Sequence, residues 1–175
     1  MSETAASRDL LASFCSEPWG CDLGFGGDPI CAHAITFDMP RPYTSVGSQR
    51  QILKGDCRDL SMFQDGALDW VYSAHLLEDF SYLELATVII PEWRRVLKPG
   101  GLLVTNCPDQ QLFLAHCART GQGLNMAHLE QDFSLENFER NVLGHTGPWE
   151  CVFRLPQHGA YSWLLTVRKI EQAPE

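Results

Sequence analysis

The chain has 175 residues, with 13 Lys and Arg against 22 Asp and Glu, a formal net charge of −9, and 45% hydrophobic and 20% charged residues. That length suits a single domain, residues 1–175, burying roughly two-thirds of the surface its unfolded form exposes. So acidic a chain is repelled by phosphate backbones and anionic lipid, and its longest basic cluster is Arg94-Arg95 with Lys98, which disfavours nucleic acid as a partner.

In chain order, a short helix is expected around Arg8 to Phe14, then a strand from Trp19 to Leu23 that runs into the glycine turn Gly24-Phe-Gly-Gly-Asp-Pro29. Ala34 to Asp38 and Gln51 to Asp56 read as second and third strands, each ending on a carboxylate, with Pro40-Arg-Pro42 and the polar run to Gln49 forming a loop between them. Ala67 to Tyr72 is a stronger strand, followed by Ser73-Ala-His75. From Tyr82 to Leu97 apolar residues recur at helical spacing, with Pro91 demanding a kink or a fresh helix start, and Lys98-Pro-Gly-Gly101 stops the helix before a strand at Leu102 to Asn106. The stripe from Leu83 to Leu97, with Leu76 and Leu77, reads as core, and Arg94, Arg95 and Lys98 as a solvated face. Helices capped by Asp109 and Ser134 follow. The tail offers strands at Trp149 to Leu155 and Tyr161 to Ile170, too close together for anything but an antiparallel hairpin. The sum is an α/β fold, a mostly parallel seven-stranded sheet closed by that hairpin.

Seven cysteines are scattered with no C-x-x-C pair and read as small buried hydrophobes in a reduced setting, not as metal ligands. The start MSETAASRDLL lacks the build of a signal peptide, and no apolar run approaches the ~18 residues of a membrane span. Those features favour a cytoplasmic protein with no metal.

Ligands of parallel sheets bind beyond the carboxyl ends of the strands. This chain places there glycines and carboxylates, with no Lys or Arg for a polyphosphate, which suits a nucleoside of little negative charge. The D-x-G-x-G turn Asp22-Leu-Gly-Phe-Gly26, the acidic strand end Asp38, the pair Gly55-Asp56, the block Leu68-Asp-Trp-Val-Tyr-Ser-Ala-His-Leu-Leu-Glu-Asp79 and the block Arg94-Arg-Val-Leu-Lys-Pro-Gly-Gly101 together resemble the class I S-adenosylmethionine-dependent methyltransferases. The resemblance spans roughly Gly20 to Asn106. It implies a Rossmann-like fold, S-adenosylmethionine as cofactor, and cofactor contacts from Asp22, Gly24, Phe25, Gly26, Asp38, Met39, Asp56, Cys57, Ser73 and Ala74. Gly24 and Gly26 would face the methionine end, Asp38 the ribose, and Asp56 with Cys57 the adenine. On its residues alone, Asp22 reads better as a brace of the glycine turn than as a ligand contact.

The chain departs from that pattern in two places. Asp28-Pro29 stands where a third glycine and a helix are usual, and eleven residues separate Gly26 from Asp38, so the first helix is expected to shrink to a turn. The family's Glu-His pair is here Glu78-Asp79. His75 borders the expected methyl position and is the candidate general base, against a reading in which it only packs or lines the cofactor. His116, His128 and His145 are lesser candidates. With almost no N-terminal cap, the site is expected to open toward a small-molecule or glycan-like acceptor, toward part of a larger molecule, or toward a second subunit in a homo-oligomer. The main rival is a catalytically inert module of the same fold that binds the cofactor or a partner. A nicotinamide oxidoreductase fits poorly, because Pro29 replaces the third glycine of its phosphate turn.

Overall fold

A computed structural model describes residues 2–42 and 50–171; the loop expected up to Gln49 lies, from residue 43 on, outside them. The elements are α1 (Glu3–Leu11), β1 (Gly20–Leu23), β2 (Ile35–Asp38), β3 (Leu53–Lys54), β4 (Leu68–Ala74), α2 (Tyr82–Glu84), α3 (Ile90–Val96), β5 (Leu97–Pro108), α4 (Gln110–Thr120), α5 (Leu135–Asn141), β6 (Trp149–His158) and β7 (Ser162–Lys169). They build a seven-stranded sheet in the order β3-β2-β1-β4-β5-β7-β6. Strands β1 to β5 run parallel, and β7 lies antiparallel between β5 and β6.

Alternation along the central strands divides their side chains between two faces. Cys21, Leu23, Val71, Leu103 and Cys107 meet α3 and α5 through Trp93, Phe133 and Phe138. Trp70, Tyr72, Val104 and Leu164 point the other way and are covered by Leu11, Cys15, Ile30 and Ala34. No helix forms between β1 and β2, where the chain makes only turns and bends. The N-terminal helix takes that duty. It begins at Glu3, five residues earlier than the sequence suggests, because Ser2 caps it by accepting from Ala5 N–H. The sheet needs an apolar layer on this face, and α1 is the segment that supplies it.

Pro91 falls in the first turn of α3, directly after a widened π-type turn at Leu85–Ile89, so the helix changes its bonding pattern just before the residue that lacks an N–H. Leu83 is 74% exposed and does not belong to the core stripe. The basic cluster is a clamp, not a solvated face. Arg95 donates to Glu92, Asp65 and the Phe63 and Leu60 carbonyls, Lys98 pairs with Asp69 at 2.5 Å, and the Arg94 guanidinium lies 4.8 Å from the centre of the Trp149 ring. Asp109 and Ser134 cap α4 and α5 as expected. The third strand is reduced to Leu53–Lys54 at the sheet edge, where Ile52 is 59% exposed and has little core to join. Five cysteines are buried, but Cys31 is half-buried and Cys151 exposed.

Gly20 is required by packing: a Cβ there would stand 1.9 Å from the buried Trp70 ring, which is pinned by its bond to the Glu17 carbonyl. Gly20→Ala should destabilise the fold by about 1–3 kcal/mol in urea unfolding, the usual cost of overpacking a core.

Candidate functional site

Parallel registry brings the carboxyl ends of the first four strands level, with Leu23 opposite both Phe37 and Ser73, and Ala74 opposite Asn106 of β5. The order of strands reverses between β1 and β4, where a crevice must open. A cleft lies there, lined by Gly24, Asp38, Asp56, Arg58, His75 and Phe80 among others.

Gly24 and Gly26 adopt left-handed conformations, with φ of 69° and 58°. A Cβ on Gly24 would come within 2.9 Å of Leu76, whereas one on Gly26 would meet open space. Asp38 stitches this turn to the end of β2. Its Oδ2 accepts from Gly26 N–H at 3.2 Å and its Oδ1 from Met39 N–H at 2.7 Å. Burial raises its pKa above the ordinary carboxylate value, and those N–H bonds oppose the rise. Asp56 is exposed and accepts from the Arg58 backbone N–H at 2.9 Å and from its guanidinium at 3.0 Å. Arg58 in turn lies 4.6 Å from the centre of the Phe80 ring. The Cys57 thiol is buried and pushed up to about 12, so it is an uncharged wall of the cleft.

At the opposite wall His75 holds a backbone φ of 50°, rare for a side chain with a Cβ, while its N–H donates to the Asn106 carbonyl at 2.8 Å. Its Nε2 is 3.1 Å from Ser162 Oγ and 3.6 Å from Glu3 Oε2, and its Nδ1 is 3.5 Å from Glu78 Oε1. Burial lowers its pKa to about 4, so the imidazole is neutral near pH 7. Glu78 is 1% exposed and burial raises its carboxyl well above the usual range, favouring the protonated form. His128, also buried, reaches toward Glu78 at 3.8 Å and bonds Gln110 at 2.7 Å.

Of the residues expected to contact a cofactor, Gly24, Asp38, Met39, Asp56 and Cys57 line the cleft, and so does His75. Gly26 lies on the turn above it, held to Asp38. Phe25 is buried within the turn. Ser73 and Ala74 end β4 and do not line the cleft, and Ser73 is fully buried. Asp22 sits under the turn and accepts from Ile30 N–H at 2.7 Å, the bracing role its residues suggested. Phe37, Arg58, Leu76 and Phe80 line the cleft but were not singled out. Leu76, taken as core, is half-buried and forms part of the wall. His116 packs against Tyr161, while His145 belongs to a separate surface groove beside Tyr82.

The residues present fit an adenosyl cofactor with an amino-acid tail. The nucleoside end has carboxylate oxygens and apolar walls, and beyond the glycine turn the buried atoms Asp22 Oδ1, Ser73 Oγ and Asn106 Oδ1 have no hydrogen-bond partner. Among the described residues no group of three or more His, Cys, Asp or Glu could hold a metal ion, and no helix is long and apolar enough to cross a membrane.

A sequence-family model described as "Methyltransferase domain" matches residues 11–105. A SAM-dependent methyltransferase from Archaeoglobus fulgidus is similar in fold, with a TM-score of 0.70 at 14% identity over 96% of this chain and 95% of that one. A second similar structure is the 1,6-didemethyltoxoflavin-N1-methyltransferase of Burkholderia thailandensis with bound 1,6-didemethyltoxoflavin and S-adenosylhomocysteine, at 0.65 and 13% identity, covering 97% and 79%. A third is the putative methyltransferase of Haloferax volcanii in complex with the Trm112 methyltransferase activator, at 0.64 and 14%, covering 99% and 91%. No curated protein matches.

Burial pushes the Asp22 carboxyl up to about 8, only partly offset by the Ile30 N–H. An unfolded chain releases that proton near the ordinary Asp value, so the folded form keeps a proton the unfolded form has lost. The stability this gives in acid is therefore lost as pH rises through the folded value. Asp22→Asn, which keeps an acceptor for Ile30, should flatten the fall in Tm between about pH 4 and about pH 8 relative to the wild type.

Proposed function

The chain belongs to the class I S-adenosylmethionine-dependent methyltransferases, and from that membership we propose that it transfers a methyl group to an oxygen, nitrogen or carbon nucleophile presented beside His75. When bound, S-adenosylmethionine supplies an electrophilic methyl group on a cationic sulfur. The observation that carries this reading is the line of groups along one cleft, from Asp56 through Asp38 and Gly24 to His75.

In this reading Asp38 accepts from the ribose hydroxyls, its carboxylate already aimed by the Gly26 and Met39 N–H groups. Phe37, Leu76 and Phe80 wall the nucleoside, and Asp56 with Arg58 borders the base. Methyl transfer is an in-line displacement, so the protein's chief task is alignment, and for an O–H or N–H acceptor also removal of a proton. His75 takes that proton. Its neutral ring is ready across the physiological range, and the charge it gains is offset by the Glu3 carboxylate, 3.6 Å from its Nε2. The acceptor is a small or glycan-like molecule, or one group of a larger one, and a partner subunit or second copy would close the open side of the cleft.

The missing helix behind the glycine turn favours a second reading, an inert module that binds cofactor or partner without turnover. Calorimetric titration of the purified chain with S-adenosylhomocysteine tests both. Binding is expected, and Asp38→Ala should weaken it by about tenfold or more, the worth of a hydrogen bond to a charged group. His75→Gln should keep that binding while abolishing turnover in an acceptor screen with labelled S-adenosylmethionine. Absence of binding by the wild type would overturn the cofactor reading; binding without turnover on any acceptor would favour the inert module.

A further inference from the structure

Resting on the cofactor reading above, we propose that α1 supplies part of the binding site and that the Glu3 carboxylate pairs with the α-ammonium of the cofactor's amino-acid tail. Asp38, at the end of β2, and Asp56, two residues past β3, belong to the nucleoside end. The sheet order β3-β2-β1-β4-β5 therefore sends the tail across Gly24 toward the ends of β4 and β5. That is where α1 begins. The Asn106 amide donates to the Glu3 carbonyl at 3.2 Å and to Ser7 Oγ at 3.0 Å, Arg8 pairs with Asp28 of the glycine turn at 2.6 Å, and His158 meets the Ala6 carbonyl at 3.0 Å. The helix start is thus fixed against the strand ends, and the glycine turn is tied to it a second time by the Ser2 hydroxyl on Asp28.

An ammonium in this place needs a carboxylate. Glu78 is buried, with its Oε1 toward His75 and His128, and Asp28 is occupied by Arg8 and Ser2. Glu3 keeps 39% of its side chain exposed, is steadied by the Tyr161 hydroxyl at 3.1 Å, and lies against the imidazole of His75, a residue of the cleft wall.

The test compares three probes on the full chain by calorimetry: S-adenosylhomocysteine, its analogue lacking the α-amino group, and 5′-methylthioadenosine, which keeps the nucleoside and sulfur but has no amino-acid tail. The wild type should prefer S-adenosylhomocysteine to the deaminated analogue by about tenfold, within the range of partly exposed charge pairs. Glu3→Gln should erase that preference and leave 5′-methylthioadenosine within about twofold of the wild type. Tyr161→Phe, which frees the carboxylate from its hydroxyl, should reduce the preference without abolishing it. A Glu3→Gln protein that keeps the wild-type preference, or that loses affinity for all three probes alike, overturns the assignment while leaving the cofactor reading intact. A wild type that binds none of the probes overturns both.

Discussion

The architecture turns on a shortage of chain. Between the end of β1 and the start of β2 the polypeptide makes only turns, too few residues for the helix that ordinarily covers one face of a parallel sheet. Trp70, Tyr72, Val104 and Leu164 would then stand against water, and burial of large side chains of this kind is worth about 1.5–3 kcal/mol each. Helix α1 and the turn after it resolve this by laying Leu11 and Cys15 on that surface from a remote part of the sequence. The same docking sets a helix start at the strand ends and brings Ser2 and Arg8 to Asp28, so one demand of packing also decides what surrounds the glycine turn.

Charge at the site is managed by depth. Deep carboxyl groups, Asp22 and Glu78, are pushed toward their neutral forms, and the His75 ring is held neutral for the same reason. Groups nearer the opening, Asp38, Asp56 and Glu3, keep access to solvent. The acidic surplus of the chain is therefore not spread as a uniform negative field through the cleft. Its inner half is close to uncharged, and its accessible half presents carboxylates suited to hydroxyls and cations.

Much of this was legible from residues near one another in sequence. The strand-end position of Asp38, the glycine turn and the caps at Asp109 and Ser134 are local signals, and each fell where the pattern put it, whereas Asp56 stands two residues beyond a shortened β3. The reversed hairpin followed from the few residues joining its strands. What escaped was non-local. Nothing in Ser2-Glu-Thr4 announces that it meets Asn106 and Tyr161, because that contact follows from which face of the sheet is bare. Leu76 looked like core because an apolar residue after a strand commonly is, and Phe37, whose ring lies across Gly55, gave no sign of facing a cleft. Arg58 was missed though it stands two residues beyond Asp56, near enough for its guanidinium to reach back to that carboxylate. Arg95 read as a surface charge, since its carbonyl partners at Leu60 and Phe63 lie more than thirty positions away.

The tie between Glu3 and Tyr161 joins residues 158 positions apart. Helix α1 also bonds Asp28, 20 positions on from Arg8, and Asn106, 103 positions on from Glu3, so this tie closes a longer loop than either. Closing so long a loop costs entropy, and the shorter-range ties of α1 to Asp28 and Asn106 lower that cost by closing part of it. A nascent or prematurely terminated chain lacking β7 would leave Trp70 and Tyr72 without their full cover and the region around His75 without Ser162. The surroundings of His75 are thus complete only when α1 and β7 have both docked.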